Sequence, residues 1–391
     1  MRIALKRTDG SASHPDPADA PATLGATTVA VTSPWDLILS IVTWVALLVL
    51  LGAVGTSYGR ALAYPGEASV AVRTVDWVRD HGGGPVVDAA ENWWYSHHRD
   101  TSTAKVLAGP PGANAPTALR PLGPRPTSGD GEGVWEALPT DHDAEQAGYA
   151  TFIRPDPEHP DVRVGVARFD QRLVRTQLVA GTKEPVLDPA PGRGEVPAAI
   201  RPRLVATFNS GYKAIDSNGG YYADQRQVRP LRDGAASAVI DDAGRLTVGQ
   251  WGRDTRLGPH IAAVRQNLAL IVDDGHPVSG LEANRGNRWG STGNQRQFTW
   301  RSAVGSDAAG NLYYVAGDQL TLTTLARALS ATGAVRGMEL DIHPNMVHLF
   351  SYRHGRGEAG PTPSKLLDTM RGPADRYLTP DLRDFFAITR R

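Results

Sequence analysis

Glu339, Asp341 and His343 stand at alternate positions in the stretch Gly337-Met338-Glu339-Leu340-Asp341-Ile342-His343-Pro344. In an extended strand successive side chains point to opposite faces. Met338, Leu340 and Ile342 are then expected to fill a core while the three ionisable groups line the other side. Alternate residues on one face lie about 6 to 7 Å apart at the backbone, which lets two carboxylates and an imidazole act on one small substrate. Pro344 ends the run and would set the triplet at the lip of a sheet. The competing reading is an ordinary half-exposed strand with a solvated polar face.

Composition narrows the chemistry. The chain has 391 residues, enough for two domains or one large domain with extensions, and its hydrophobic content of 41% suffices for a packed core. Formal net charge is zero, with Lys and Arg scattered rather than striped, so no nucleic acid is expected as a partner. There is no cysteine, which removes disulfides, thiolate nucleophiles and cysteine-ligated metals. No G-x-S-x-G elbow, G-x-x-x-x-G-K loop or H-E-x-x-H helix occurs, so serine hydrolase, nucleotide and zincin readings lack their motifs. His343, His348 and His354 invite a metal reading, but five-residue spacing changes face on a strand, and neither metal nor cofactor is expected.

Three pieces fall in a recognisable order. Thr207-Phe208-Asn209-Ser210-Gly211-Tyr212 resembles an F-N-G-G-[FY] turn, and Trp300-Arg301-Ser302-Ala303-Val304-Gly305 resembles an R-[TS]-A-[IV]-G strand. Leu320-Thr321-Leu322 with Leu325-Ala326, then Gly333-Ala334 and Glu339-Leu340-Asp341, resembles an L-T-L-x-x-L-A helix leading to an L-D strand. Together they resemble the phosphodiester glycosidase family over roughly residues 160 to 385. A membrane-anchored bacterial branch is the nearest likeness, given 36 Arg against 5 Lys.

The resemblance implies a hydrolase acting on a sugar-1-phosphate linkage in a phosphoglycan, and residue types make sense of it. Phosphate is a stable leaving group, so C1–O cleavage needs a carboxylate near the developing oxocarbenium and cations on the phosphate. Asp341 is the candidate for the first role, with Glu339 as the second carboxylate for proton transfer or activation of water. Arg301 is the candidate phosphate clamp, because a planar guanidinium binds two phosphate oxygens at once, with Lys213 and His343 assisting. Asn209 would hold a sugar hydroxyl or a phosphate oxygen, and Gly211 would let backbone approach closely. Against these stand a surface ion pair for Arg301 and a turn-forming role for Asn209. Two departures bear on activity. Ile342-His343-Pro344 follows the aspartate where the family commonly has Gly-Gly and a small polar residue, and Ser210 and Lys213 replace a glycine and an aromatic. The alternatives are therefore a phosphodiesterase breaking P–O and a non-catalytic glycan-binding or envelope-scaffolding protein.

The elements that must position these residues read as α+β, with largely antiparallel sheets and few helices. Val162 to Phe169, Leu173 to Val179 and Leu204 to Phe208 are expected strands. Asp241-Asp242-Ala243-Gly244, Asp273-Asp274-Gly275 and Asp307 to Asn311 split three further pairs of apolar runs into hairpins. Leu322, Leu325, Ala326 and Leu329 repeat with helical spacing, with Thr321 as N-cap and Gly333 as stop. Ahead of the main domain, Ala68 to Asp80 reads as a short helix stopped by His81-Gly82-Gly83-Gly84, and the His97-His98 pair, read in an extended segment, as structural.

Leu37 to Val54 is uncharged and apolar, and with Gly55 and Thr56 reaches the roughly 20 residues that span a bilayer as a helix. The expected organisation is a disordered tail over 1–35, a transmembrane helix over 36–56 in the lipid bilayer, a membrane-proximal segment and Pro/Gly-rich linker over 57–134, and the phosphodiester glycosidase-like domain over 135–391. Ala61-Leu62-Ala63 resembles a signal-peptidase site and supplies the rival reading of a cleaved leader. Arg2, Lys6 and Arg7 against Arg60 and Arg73 leave the positive-inside balance nearly even, and an extracytoplasmic catalytic domain at the cell membrane is the expectation from a single span.

Overall fold

A computed structural model describes residues 34–64, 69–97, 105–106, 122, 131–139, 145–185, 193–291, 298–355 and 360–391. The expected tail over 1–35 lies almost wholly outside them, as does most of the Pro/Gly-rich stretch from 109 to 133. The chain divides into two compact units, Met1–Ser57 and Tyr58–Arg391.

The first unit consists, among the described residues, of most of helix α1 (Pro34–Ala63). This 30-residue helix buries no residue and is long and apolar enough to cross a membrane. A helix apolar all round that buries no residue among the described ones lacks the single packed stripe of a core helix. Helix α2 (Val70–Val78) follows, capped by Ser69, then a π-helical turn at Arg79–Gly83 that breaks direction at His81 and Gly82, then α3 (Gly84–His97). The expected short helix is present. His97, read in an extended segment, instead ends α3, and His98 lies outside the described residues.

The second unit is built on three antiparallel sheets, as the α+β reading requires. The largest has eight strands in the order Glu136–Ala137, Gly148–Ile153, Val164–Phe169, Leu312–Leu320, Thr299–Ser306, Arg336–Glu339, Leu270–Asp273 and His276–Pro277. A five-stranded sheet runs Arg226–Arg229, Tyr221–Ala223, Ile261–Gln266, Ala236–Asp241, Leu246–Gln250. The third runs Thr362–Lys365, Leu349–Arg353, Leu204–Asn209, Phe385–Arg390, Val174–Val179. All three expected hairpins form.

Every residue of Thr299–Ser306 is buried because its sheet is covered on both faces. Val304 and Met338 join Phe208, Ile240 and Phe386 in a core shared by the three sheets. Ala303, Ile271 and Val315 on the opposite face pack beneath helix α5 (Leu322–Ala331), which follows the four-residue helix α4 (Ala214–Ser217) in the chain. Thr321 caps α5 by accepting the Thr324 N–H at 3.1 Å. Gly337 leaves room for this helix against the sheet: a Cβ there would sit 2.2 Å from Leu329 Cδ2.

The strand expected to carry the ionisable triplet is shorter than its alternation suggests. It ends at Glu339, paired with Ala303. One further exchange, Leu340 N–H to Ser302 O at 2.8 Å and Ser302 N–H to Asp341 O at 3.0 Å, carries the pairing to Asp341, and the His343 carbonyl already accepts the Met346 N–H that closes the following turn. Met338 and Leu340 reach the core as expected, while Ile342 is only partly buried.

Candidate active site

Asp341 owes its position to that last ladder exchange. Its Oδ1 accepts the N–H groups of Ile342 at 2.8 Å and His343 at 2.9 Å, turning the chain back under its own carboxyl. Oδ2 is 3.3 Å from Arg383 Nη2, and that same nitrogen donates to Gly211 O at 2.7 Å. Arg383 therefore links the end of the triplet strand to the Asn209-Ser210-Gly211 turn. Gly211 has φ +150°, in the region glycine favours, and a Cβ there would meet the Asn267 amide at 3.2 Å. Asn267 Nδ2 in turn donates to the carbonyls of Glu339 and Leu340, at 2.6 and 2.9 Å.

Burial pushes the Asp341 carboxyl above the ordinary aspartate value, with Arg383 and the two backbone N–H groups opposing. His343 is pulled down to about 4, first by burial and then by Arg79, Arg383 and Arg371, with Asp76 opposing. It is thus a neutral imidazole near pH 7, and its Nδ1 faces the Asn345 N–H at 3.2 Å. Burial works against the charge on Arg383, but the carboxylates of Asp341, Glu184, Asp384 and Asp76 outweigh it and keep the guanidinium firmly protonated.

Glu339 and Arg301 sit behind this group. Their side chains are 1% and 0% exposed and form an ion pair at 2.7 Å, with Arg301 Nε donating to Leu320 O at 2.8 Å. The Tyr212 phenol is raised well above its usual value by burial and by the Glu339 charge. The division of labour expected from sequence, Arg301 on phosphate and Glu339 on protons, meets a geometry in which the two neutralise each other inside the core. The pair is buried, unlike the surface ion pair weighed as the alternative for Arg301.

Asn209 is equally committed. It is 4% exposed, its Nδ2 donates to Ser302 Oγ at 3.1 Å, and its Oδ1 accepts from Tyr314 Oη at 3.0 Å and the His348 N–H at 3.2 Å. It ties three strand regions together rather than forming a turn with its own backbone. Ser210, standing where the family has glycine, donates to Asp384 O at 2.8 Å. Lys213 Nζ pairs with Asp76 of α2 at 2.7 Å and lies 3.5 Å from Asp80.

Asp341 and Gly211 therefore meet at Arg383, a residue absent from the sequence-derived set, with His343 two residues beyond Asp341 and Lys213 two residues beyond Gly211. Arg265 was missed as well: its ion pair with Asp384 at 2.7 Å is fully buried, and its Nη2 donates to Tyr212 O at 2.5 Å, bracing the turn from below. The available signal was the charged run Asp381-Leu382-Arg383-Asp384 set directly against the apolar strand Phe385–Arg390. Charges abutting a buried strand need buried partners. Among the described residues no group of three metal-ligating side chains occurs. His348 Nε2 and His354 Nε2 instead lie 2.8 Å from the carbonyls of Arg371 and Leu204.

Residues 195–341 match the model of the phosphodiester glycosidase family. The chain carries a phosphodiester glycosidase domain. All three sequence motifs fall inside the matched segment of this domain, which ends on Asp341, whereas Arg383 lies beyond it. Among solved structures, the zebrafish N-acetylglucosamine-1-phosphodiester alpha-N-acetylglucosaminidase catalytic domain, auto-inhibited by its pro-peptide, is 16% identical, with a TM-score of 0.43 over 66% of this chain and 87% of that one. A hypothetical protein from Synechocystis is 13% identical, with a TM-score of 0.38 over 66% of this chain and 64% of that one. No curated protein matches the chain in sequence.

Proposed function

We propose that the protein is a membrane-anchored hydrolase that cleaves the C1–O bond of a glycosyl phosphodiester in an extracytoplasmic glycan. The observation that carries this reading is the Asp341 carboxyl, held by two backbone N–H groups and set against Arg383 at the end of the phosphodiester glycosidase segment. As a carboxylate, Asp341 stabilises the positive charge that develops at C1, and the fixed cation beside it offsets charge on the departing phosphate. Neutral His343 adds a hydrogen-bonding group at the same edge without adding charge. Glu339 supports the site electrostatically through Arg301 rather than by touching substrate.

Full-length protein in detergent micelles, incubated with glycosyl-1-phosphodiesters in heavy-oxygen water, tests the reading. Release of reducing sugar with label in the sugar is expected. Label in the phosphate would instead mean P–O cleavage, and binding without turnover would mean a glycan-binding protein. For the anchor, we propose that residues 36–56 span the bilayer with the domain outside. Protease added to intact cells should then remove the domain, and full protection would overturn this orientation.

A further inference from the structure

We propose that Arg383 and Lys213 form an oxyanion subsite, and that the Asp76 carboxylate of α2 occupies its Lys213 side in this structure as a stand-in for phosphate oxygens, leaving the Arg383 edge open. Assigning that anion to a substrate phosphate rests on the function proposed above; the subsite itself rests on geometry. Asp76 Oδ1 lies 2.7 Å from Lys213 Nζ, and the same carboxylate feels the positive charge of Arg383. Lys213 follows by two residues the Gly211 carbonyl on which Arg383 Nη2 is anchored. The two cations are therefore presented by one turn and by the strand lead-in against it.

Two observations distinguish a ligand subsite from a finished internal salt bridge. Arg383 is only 9% exposed, yet its Nε is a buried donor with no hydrogen-bond partner among the described residues. A buried guanidinium edge left open is costly unless something comes to fill it. The second concerns the helix that delivers Asp76. Helix α2 buries none of its residues. It leans on the end of α1 instead, through Trp77 on the Tyr58 ring, Thr74 Oγ1 on Tyr58 Oη at 2.8 Å, and Arg73 Nη1 on Leu62 O at 2.7 Å. Its ionic contacts with the turn run through Asp76 and Asp80, whose side chains are 26% and 44% exposed. A phosphodiester presents two oxygens sharing one negative charge, so it can replace the Asp76 carboxylate on Lys213 and also meet the open Arg383 edge.

The test is titration of the full-length protein in micelles with inorganic phosphate, followed by calorimetry and by the fluorescence of Trp77 beside Asp76. Asp76→Asn removes the competing charge, and phosphate should bind tenfold or more tightly than to the unaltered chain. Arg383→Gln should abolish binding, and Arg383→Lys should weaken it by losing the two-pronged geometry. Should Arg383→Gln fail to fold, Lys213→Gln at the partly exposed edge carries the test, with an expected loss of tenfold or more. Unchanged or weaker binding in Asp76→Asn, or undiminished binding in the Arg383 and Lys213 variants, overturns the proposal. Phosphate affinity is read without any substrate turning over, so failure of the hydrolase reading leaves this outcome separately visible.

Discussion

The carboxylate of Asp341 and the guanidinium of Arg383, 42 residues apart in sequence, meet at 3.3 Å where the largest sheet and the sheet carrying Phe385–Arg390 come together. Arg383 also grips the Gly211 carbonyl, so one side chain sets the distance between the turn and the acid.

Asp341→Asn should lower turnover by about a hundredfold or more, because the amide keeps the shape and much of the hydrogen bonding but loses the charge that stabilises the transition state. Steady-state rates on a glycosyl phosphodiester, with a thermal melt to confirm folding, check this. Retained activity would remove Asp341 from the mechanism.

The elevated Asp341 value, caused by burial, has a direction in pH. The Asp341 carboxylate is protonated on acidification earlier than an exposed aspartate would be. The fall of kcat/KM on the acid side should therefore lie above the ordinary aspartate value. Arg383→Gln removes an opposing cation and should move that limb further up. A limb at the usual aspartate position in both proteins would contradict the assignment.

For Glu339 and Arg301 the expected readout is stability. Glu339→Gln strands a buried guanidinium and should cost about 3–5 kcal/mol in a denaturant melt, whereas replacing both partners with apolar residues of similar volume should cost far less. Unaltered stability combined with lost turnover in Glu339→Gln would return Glu339 to a chemical role.

His343 titrates near 4 in the folded protein against 6.5 for the free side chain, its value depressed chiefly by burial. Below pH 6.5 the unfolded chain binds the proton first, so this residue's contribution to stability is whole above 6.5 and declines as pH falls toward 4. Melts of the parent and His343→Gln should diverge in slope across that window. Imidazole carbon-bound proton resonances should stay fixed from pH 8 to 6; a midpoint near 6.5 would refute the buried, neutral assignment.

Gly337→Ala should destabilise the protein by about 1–3 kcal/mol, since a Cβ placed 2.2 Å from Leu329 Cδ2 forces α5 off the sheet. In a Leu329→Ala background the same change should cost less. Equal costs in the two backgrounds would mean the clash is relieved elsewhere.

The hairpins, helix α5 with its Thr321 cap, the apolar span and the order of the three motifs are local patterns, and residue types and spacing alone determined them. The motif that ends on Asp341 was legible for the same reason: it is contiguous. Local spacing does not say which face of a strand is covered. Tertiary structure, covering the largest sheet on both faces, set Glu339 and Arg301 in a buried ion pair and enclosed Asn209 among three strand regions. It also ended the triplet strand at Glu339 and brought Arg383 and Asp76, one from each end of the chain, to the same turn. An ion pair depends on a few ångströms in space and leaves no periodic trace in sequence, so only the packed sheets decide which charges meet.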